Sequence, residues 1–247
     1  MPTPYGPPSS PITVGVFGGT HVAFLARHGA GHTIPPHRVN YRANLWALAS
    51  LGVSAVIGSS AVGSLTPDLP PDTFVVPDQL IDRTRARADT FFDGSGVQHL
   101  AFADPFDADI RRLLVDALTA RDERFAPTGT TVVIAGPRFS TRAEARGWRM
   151  LGADIVNMTQ YPEAALAAEL NLGYASLSFV TDADTGHGAD DEAVTAEVVF
   201  RRLSAARERI TGTLADAVAT LPEDYAAPRR IAANVVARVL AGEIPAR

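Results

Sequence analysis

The chain has no cysteine. Disulfides, thiolate metal sites and a cysteine nucleophile are therefore excluded. No apolar run approaches the length needed to span a membrane. Positive charge is in short supply: 22 Lys and Arg stand against 27 Asp and Glu, for a net charge of −5. Such a chain offers no basic field to nucleic acid or to an acidic membrane. The opening MPTPYGPPSSP has neither a basic n-region nor an apolar h-region, so no secretory leader is read and a soluble, cytoplasmic protein is expected. What is present is an ordinary globular composition, 46% hydrophobic and 20% charged over 247 residues, enough for a sizeable core. No linker or internal repeat divides it. One domain over residues 1–247 is expected, with the Pro- and Ser-rich residues 1–11 as an extended arm.

Periodicity and punctuation then place the elements. Residues 12–17 and 21–26 read as a hairpin around Gly18-Gly19. Asn40 can cap a helix over 41–51, with Leu45, Trp46, Leu48 and Leu51 on one face and Gly52 as the stop. Residues 53–57 form an apolar strand closed by GSSAVGSL, and 74–76 form another. Residues 84–106 read as a long polar loop. Helices are expected at 108–121, 141–151, 162–170, 191–220 and 229–241, and strands at 131–135, 154–157 and 174–181. Strands alternating with helices indicate an α/β layer fold with a largely parallel central sheet.

In such sheets, ligands bind at the carboxyl ends of strands. The residues after successive strands are Arg27-His28 with His32, Ser59-Ser60 with Gly63, GPRFSTRAE, Met158-Thr159, and Asp182 with Asp184. Singly, each has an ordinary reading: a surface pair, a loop, a core phenylalanine, a turn cap. Asn157-Met158-Thr159 matches a glycosylation sequon, which the missing secretory signal makes irrelevant. Jointly they describe a site. Arg, His, Ser and Thr with loop amides suit an oxyanion such as phosphate. Phe and Met suit a base and a sugar. Asp182 and Asp184 fall on one side if the strand continues through them, and their mutual repulsion should raise one pKa. A protonated Asp can donate to a purine ring nitrogen while an ionised one accepts from an exocyclic amine.

These residues lie in stretches that resemble the trimeric purine nucleoside phosphorylases, in particular the S-methyl-5′-thioadenosine phosphorylase branch. The matching stretches are ARHGAGHTIPPHRVNYRANLWAL, SSAVGSL, DQLIDRT, FFDG, AGPRFSTRAE, GADIVNMTQYPEAALAAEL and YASLSFVTDAD, in order over residues 2 to about 199. The resemblance implies a three-layer α/β fold with a mixed, largely parallel sheet flanked by helices. It implies phosphorolysis of methylthioadenosine, with a general or 6-oxopurine nucleoside phosphorylase, or a non-catalytic nucleoside-binding protein, as alternatives. By resemblance, Arg27, His28, Ser60 and Thr159 hold phosphate. Ala61, Phe139 and Met158 contact the nucleoside, and Asp182 and Asp184 read the base. Members specific for 6-oxopurines carry Asn at the position of Asp182, so adenine is favoured here. The resemblance further implies a homotrimer in which His99 reaches the neighbour's sugar pocket, a 5′ pocket with Ala196 beside Val194 and Val199, and no metal or organic cofactor, inorganic phosphate being a co-substrate. Finally, VFGGT imitates the family's glycine-rich phosphate turn. The preceding TPYGPPSSPI matches a segment that the family places after that turn. Gly18-Gly19-Thr20 is therefore expected to be a hairpin turn, and the family's first strand and phosphate turn to lie upstream of Met1.

Overall fold

The computed structural model describes residues 2–94, 96–184 and 194–243. Its centre is a seven-stranded sheet of β3 (Ala55–Ser64), β4 (Phe74–Val75), β5 (Gln79–Arg83), β6 (Phe125–Ala126), β7 (Thr130–Ile134), β8 (Ile155–Asn157) and β9 (Gly173–Asp182), in the order β5-β7-β8-β3-β9-β4-β6. Four of its pairings are parallel, and β3–β8 and β4–β9 are antiparallel. The sheet is thus mixed and largely parallel, as expected.

β9 explains the layering. Every one of its residues is buried, as for a strand covered on both faces. Its side chains alternate between two cores. Tyr174 joins one with α1 (Tyr41–Ser50), α4 (Gln160–Glu169) and α7 (Ala233–Leu240). Ala175, Leu177 and Phe179 join the other with α2 (Ala108–Ala120), α5 (Ala196–Ala205) and α6 (Arg207–Ala219). Side-chain caps start two helices: Asn40, as expected, accepts from the Ala43 amide, and Thr141, expected as a helical residue, is the N-cap that forms a capping box with Glu144 on α3 (Arg142–Met150).

The hairpin is β1 (Thr13–Phe17) and β2 (Thr20–Phe24), a separate two-stranded ribbon. Gly18 and Gly19 have φ of 59° and 81°. A Cβ on Gly18 would lie 2.2 Å from the Ala215 carbonyl oxygen, so glycine also permits the turn to press on α6. Thr20 Oγ1 donates to the Val218 carbonyl at 3.2 Å. The hydroxyl is engaged by α6.

Four local expectations need correction. GSSAVGSL does not close a short strand; it is most of β3, which runs for ten residues. Its glycines and serines read as a loop because a site-lining strand carries few of the branched side chains that mark strands. Second, β5 and β6 form in stretches given no strand. Third, the helix expected over 191–220 is two helices, α5 and α6, broken at Ala206, whose ψ is 1° and whose side chain is pressed into the core; residues 191–193 fall outside the described residues. Fourth, β9 ends at Asp182, and Asp184 has φ of 38°, so no strand carries the two aspartates to one side. Among the described residues, no helix is long and apolar enough to cross a membrane, and no cluster of three His, Cys, Asp or Glu could hold a metal.

Candidate active site

Because β8 runs antiparallel to β3, the residues after the strands do not meet at one carboxyl edge. They line up along β3. Arg27 reaches the Ser59 carbonyl, Asn157 at the end of β8 reaches the Ala61 carbonyl, and Asp182 and Asp184 pack on Gly63. Four residue steps of a strand span about 13 Å. That is room for an anion, a sugar and a base in a row.

Arg27 anchors the first end. Its Nε and Nη2 donate to the two oxygens of Glu163, the second at 3.0 Å, and its Nη1 donates to the Ser59 carbonyl at 3.3 Å. Tyr174 donates its hydroxyl to Glu163 Oε2 at 2.9 Å. A Cβ on Gly58 would come within 2.6 Å of the Tyr174 hydroxyl and 3.4 Å of Arg27 Nη2, so the strand must be bare here. Burial opposes the Arg27 charge, but the Glu163 carboxylate prevails and holds its pKa above the ordinary value. Burial pushes the Tyr174 hydroxyl well up. His28 places Nδ1 2.9 Å from the Ile34 carbonyl. A carbonyl only accepts, so Nδ1 carries the proton and Nε2 is the nitrogen left for a ligand. Burial, with Arg27 and His32 beside it, pushes the His28 pKa down. The His28 ring packs at 4.4 Å on His32, which meets Phe200 of α5 edge-on at 5.1 Å. Ser60 Oγ is buried with no hydrogen-bond partner among the described residues. Such an atom calls for a ligand or water.

The middle of this row is formed after β8. Asn157 Oδ1 accepts from the amides of Thr159 and Gln160, both at 2.7 Å, and so fixes the entry into α4 with Thr159 buried at its N-cap. Met158 is half-buried, and a Cβ on Gly136 would lie 2.5 Å from its sulfur. Arg87, from the 84–106 loop, donates at 2.9 Å to the carbonyls of Ala135 and Met158 and also bonds that of Tyr161, tying this floor to the end of β7. Phe139 is half-buried and belongs to none of the core clusters.

At the far end, Asp182 and Asp184 are buried. Asp182 accepts from Thr181 Oγ1 at 2.8 Å and from the Asp184 amide at 3.0 Å. Its pKa is raised, in the expected direction but by burial rather than by repulsion from Asp184. Arg202 of α5 bonds the Thr181 carbonyl and partly counters the rise. A Cβ on Gly63 would lie 2.8 Å from Asp182 Oδ1 and 3.2 Å from the Asp184 Cβ. Ala61 lies between the ends on β3. His99 and Ala196 are exposed, and Val194 and Val199 are half-buried.

Sequence reasoning passed over Glu163, Asn157 and Arg87. Glu163 lies in an alanine-rich helix where an acid reads as solvated, Asn157 was seen only as a sequon, and Arg87 lies in a polar loop. Glu163 and Asn157 lie inside a matching stretch, which is the available signal for them; Arg87 lies between DQLIDRT and FFDG and has none.

The sequence matches the model of the phosphorylase superfamily over residues 2–219. The chain belongs to the phosphorylase superfamily. Within it, the chain is 57% identical over 184 residues to the S-methyl-5′-thioadenosine phosphorylase of Mycolicibacterium smegmatis, covering 74% of this chain and 69% of that one. It is 49% identical over 228 residues to the purine nucleoside phosphorylase of Streptomyces coelicolor, covering 89% and 81%. The methylthioadenosine phosphorylase of Schistosoma mansoni, solved with adenine, superposes with a TM-score of 0.85 at 38% identity, covering 89% of this chain and 83% of that one. The mixed seven-stranded sheet and its two helical layers are thus the fold of this superfamily.

Proposed function

We propose that the chain catalyses phosphorolysis of S-methyl-5′-thioadenosine to adenine and 5-methylthioribose 1-phosphate. The observation that carries the reading is that Arg27 bonds β3 at Ser59 while a buried, pKa-raised Asp182 packs on it at Gly63, two positions about 13 Å apart along the strand. Phosphate rests on Arg27, His28, Ser60 and Thr159. A phosphate oxygen attacks the anomeric carbon as the bond to the base breaks and its electron pair leaves on the purine. Asp182 holds its proton at the purine ring nitrogen and neutralises the departing base, help worth about 10²–10⁴-fold. Asp184 accepts from the exocyclic amine. Met158 and Phe139 pack on sugar and base. The chemistry needs position and electrostatics, which these side chains supply without a metal or organic cofactor.

The rival is a general purine nucleoside phosphorylase, favoured by the Streptomyces relative. Asp at 182 and the apolar Val194, Ala196 and Val199 support the methylthio substrate. We further propose that the protein acts in the cytoplasm, in adenine and methionine salvage. The chain works as one domain in a homotrimer, with the exposed His99 on its 84–106 loop free to meet a neighbour. The test is adenine release from methylthioadenosine with and without phosphate. Release only with phosphate is expected; equal release in its absence indicates a hydrolase and removes the phosphate assignments.

A further inference from the structure

The carboxylate of Glu163 is buried and grips the side of the Arg27 guanidinium formed by Nε and Nη2. We propose that Glu163, itself held by Tyr174, is a positioning residue that turns the free edge of Arg27 toward phosphate. The inference rests on Arg27 being a phosphate ligand, as argued above.

An arginine has five N–H donors. Glu163 takes one from Nε and one from Nη2, and the Ser59 carbonyl takes one from Nη1. Among the described residues, that leaves two N–H groups of Arg27 without a partner, one on each Nη nitrogen. Two neighbouring N–H groups match two oxygens of a phosphate. The orientation is held from behind: the Tyr174 hydroxyl fixes Glu163 Oε2, and bare Gly58 leaves space for that hydroxyl. A long side chain held in this way loses less rotamer freedom when the anion arrives.

A second account is available, in which Glu163 only neutralises a buried cation. The two accounts differ in sign. The Arg27–Glu163 pair carries no net charge, so phosphate must be held by aimed donors. Glu163→Gln adds net positive charge to the site yet removes the two-oxygen grip, because an amide has one acceptor and its NH₂ opposes an arginine donor. If charge governs, the variant binds phosphate more tightly. If aim governs, it binds phosphate less well.

The experiment measures the KM for inorganic phosphate at saturating methylthioadenosine, with adenine affinity as a check on the distant base end. Arg27→Ala should raise the phosphate KM by roughly 10–100-fold. Glu163→Gln should raise it by about tenfold or more, lower kcat by a smaller factor and leave adenine affinity within about twofold. In the Arg27→Ala background, Glu163→Gln should add less than about twofold, because its effect passes through Arg27. An unchanged or lowered phosphate KM in Glu163→Gln overturns the inference, as does an equal effect in both backgrounds. A normal phosphate KM in Arg27→Ala removes the phosphate site itself, a separate failure. Should Glu163→Gln not fold, Tyr174→Phe decides: a rise of about threefold is expected, and no rise overturns the proposal.

Discussion

Toward one end of the row along β3, Arg27 is met by an opposite charge, itself held by a tyrosine, and by a backbone carbonyl. At the other end, Asp182 is buried and, among the described residues, is bonded by a hydroxyl and an amide, while Arg202 bonds the neighbouring carbonyl. The first charge is kept by its partner. The second is discouraged by desolvation. Burial alone does not decide protonation; the partner does. A permanent cation and a proton-holding acid thus lie against β3 four residues apart.

The largest expected effect tests the acid end. Asp182→Asn should lower kcat/KM for methylthioadenosine by roughly 10²-fold or more, and for inosine-type substrates much less. In the parent enzyme, kcat/KM should also fall as pH rises through the raised Asp182 pKa, because the proton is then lost. That limb should vanish in the variant, and its survival would place the acid elsewhere.

A second change asks whether pH effects stay local. Glu169, at the far end of α4, accepts from Thr90 Oγ1 and the Phe91 amide, and burial pushes its pKa up from 4.5 to about 7. The folded state thus holds this proton more tightly than the unfolded state does. The stabilisation is complete below about pH 4.5 and is lost as pH rises to about 7, a difference of about 3 kcal/mol. Glu169→Gln should flatten the pH dependence of denaturant midpoints over that window and leave the kinetic limb of Asp182 in place.

Two glycines sharpen the contrast at smaller cost. Gly63→Ala crowds Asp182 and Asp184, and Gly58→Ala crowds Tyr174. The first should raise the nucleoside KM and the second the phosphate KM, each by about tenfold from roughly 1.4 kcal/mol of lost positioning. If both variants shift the same constant, the two ends are not separate. The smallest effect is expected from Thr20→Ala. It loses one hydrogen bond to α6, about 1 kcal/mol of stability, and should leave the phosphate KM unchanged.

Much of this was legible because local chemistry was strong. The apolar run of β9, the glycine turn at 18–19 and the Asn40 cap each answer a local physical demand. The misreadings arose where a residue serves something distant. Ser59 and Ser60 look like loop because small polar residues beside glycine lack the branched side chains that mark strands. Glu163 looks solvated because its cation comes from 136 residues away in sequence. The break at Ala206 carries no glycine or proline to announce it; tertiary packing makes it. Family resemblance placed the ligand-facing residues together, but it did not say that β8 runs antiparallel to β3.

That antiparallel neighbour has a consequence for how such a protein can change over generations. Since the candidate site residues are strung along a strand, their spacing is counted in residues. Sliding β3 by one position would turn every site-facing side chain to the opposite face. Insertions within β3 are therefore closed to selection as a route to longer or shorter substrates. New specificities must come from exchanging side chains at fixed stations or from the loops that cover them.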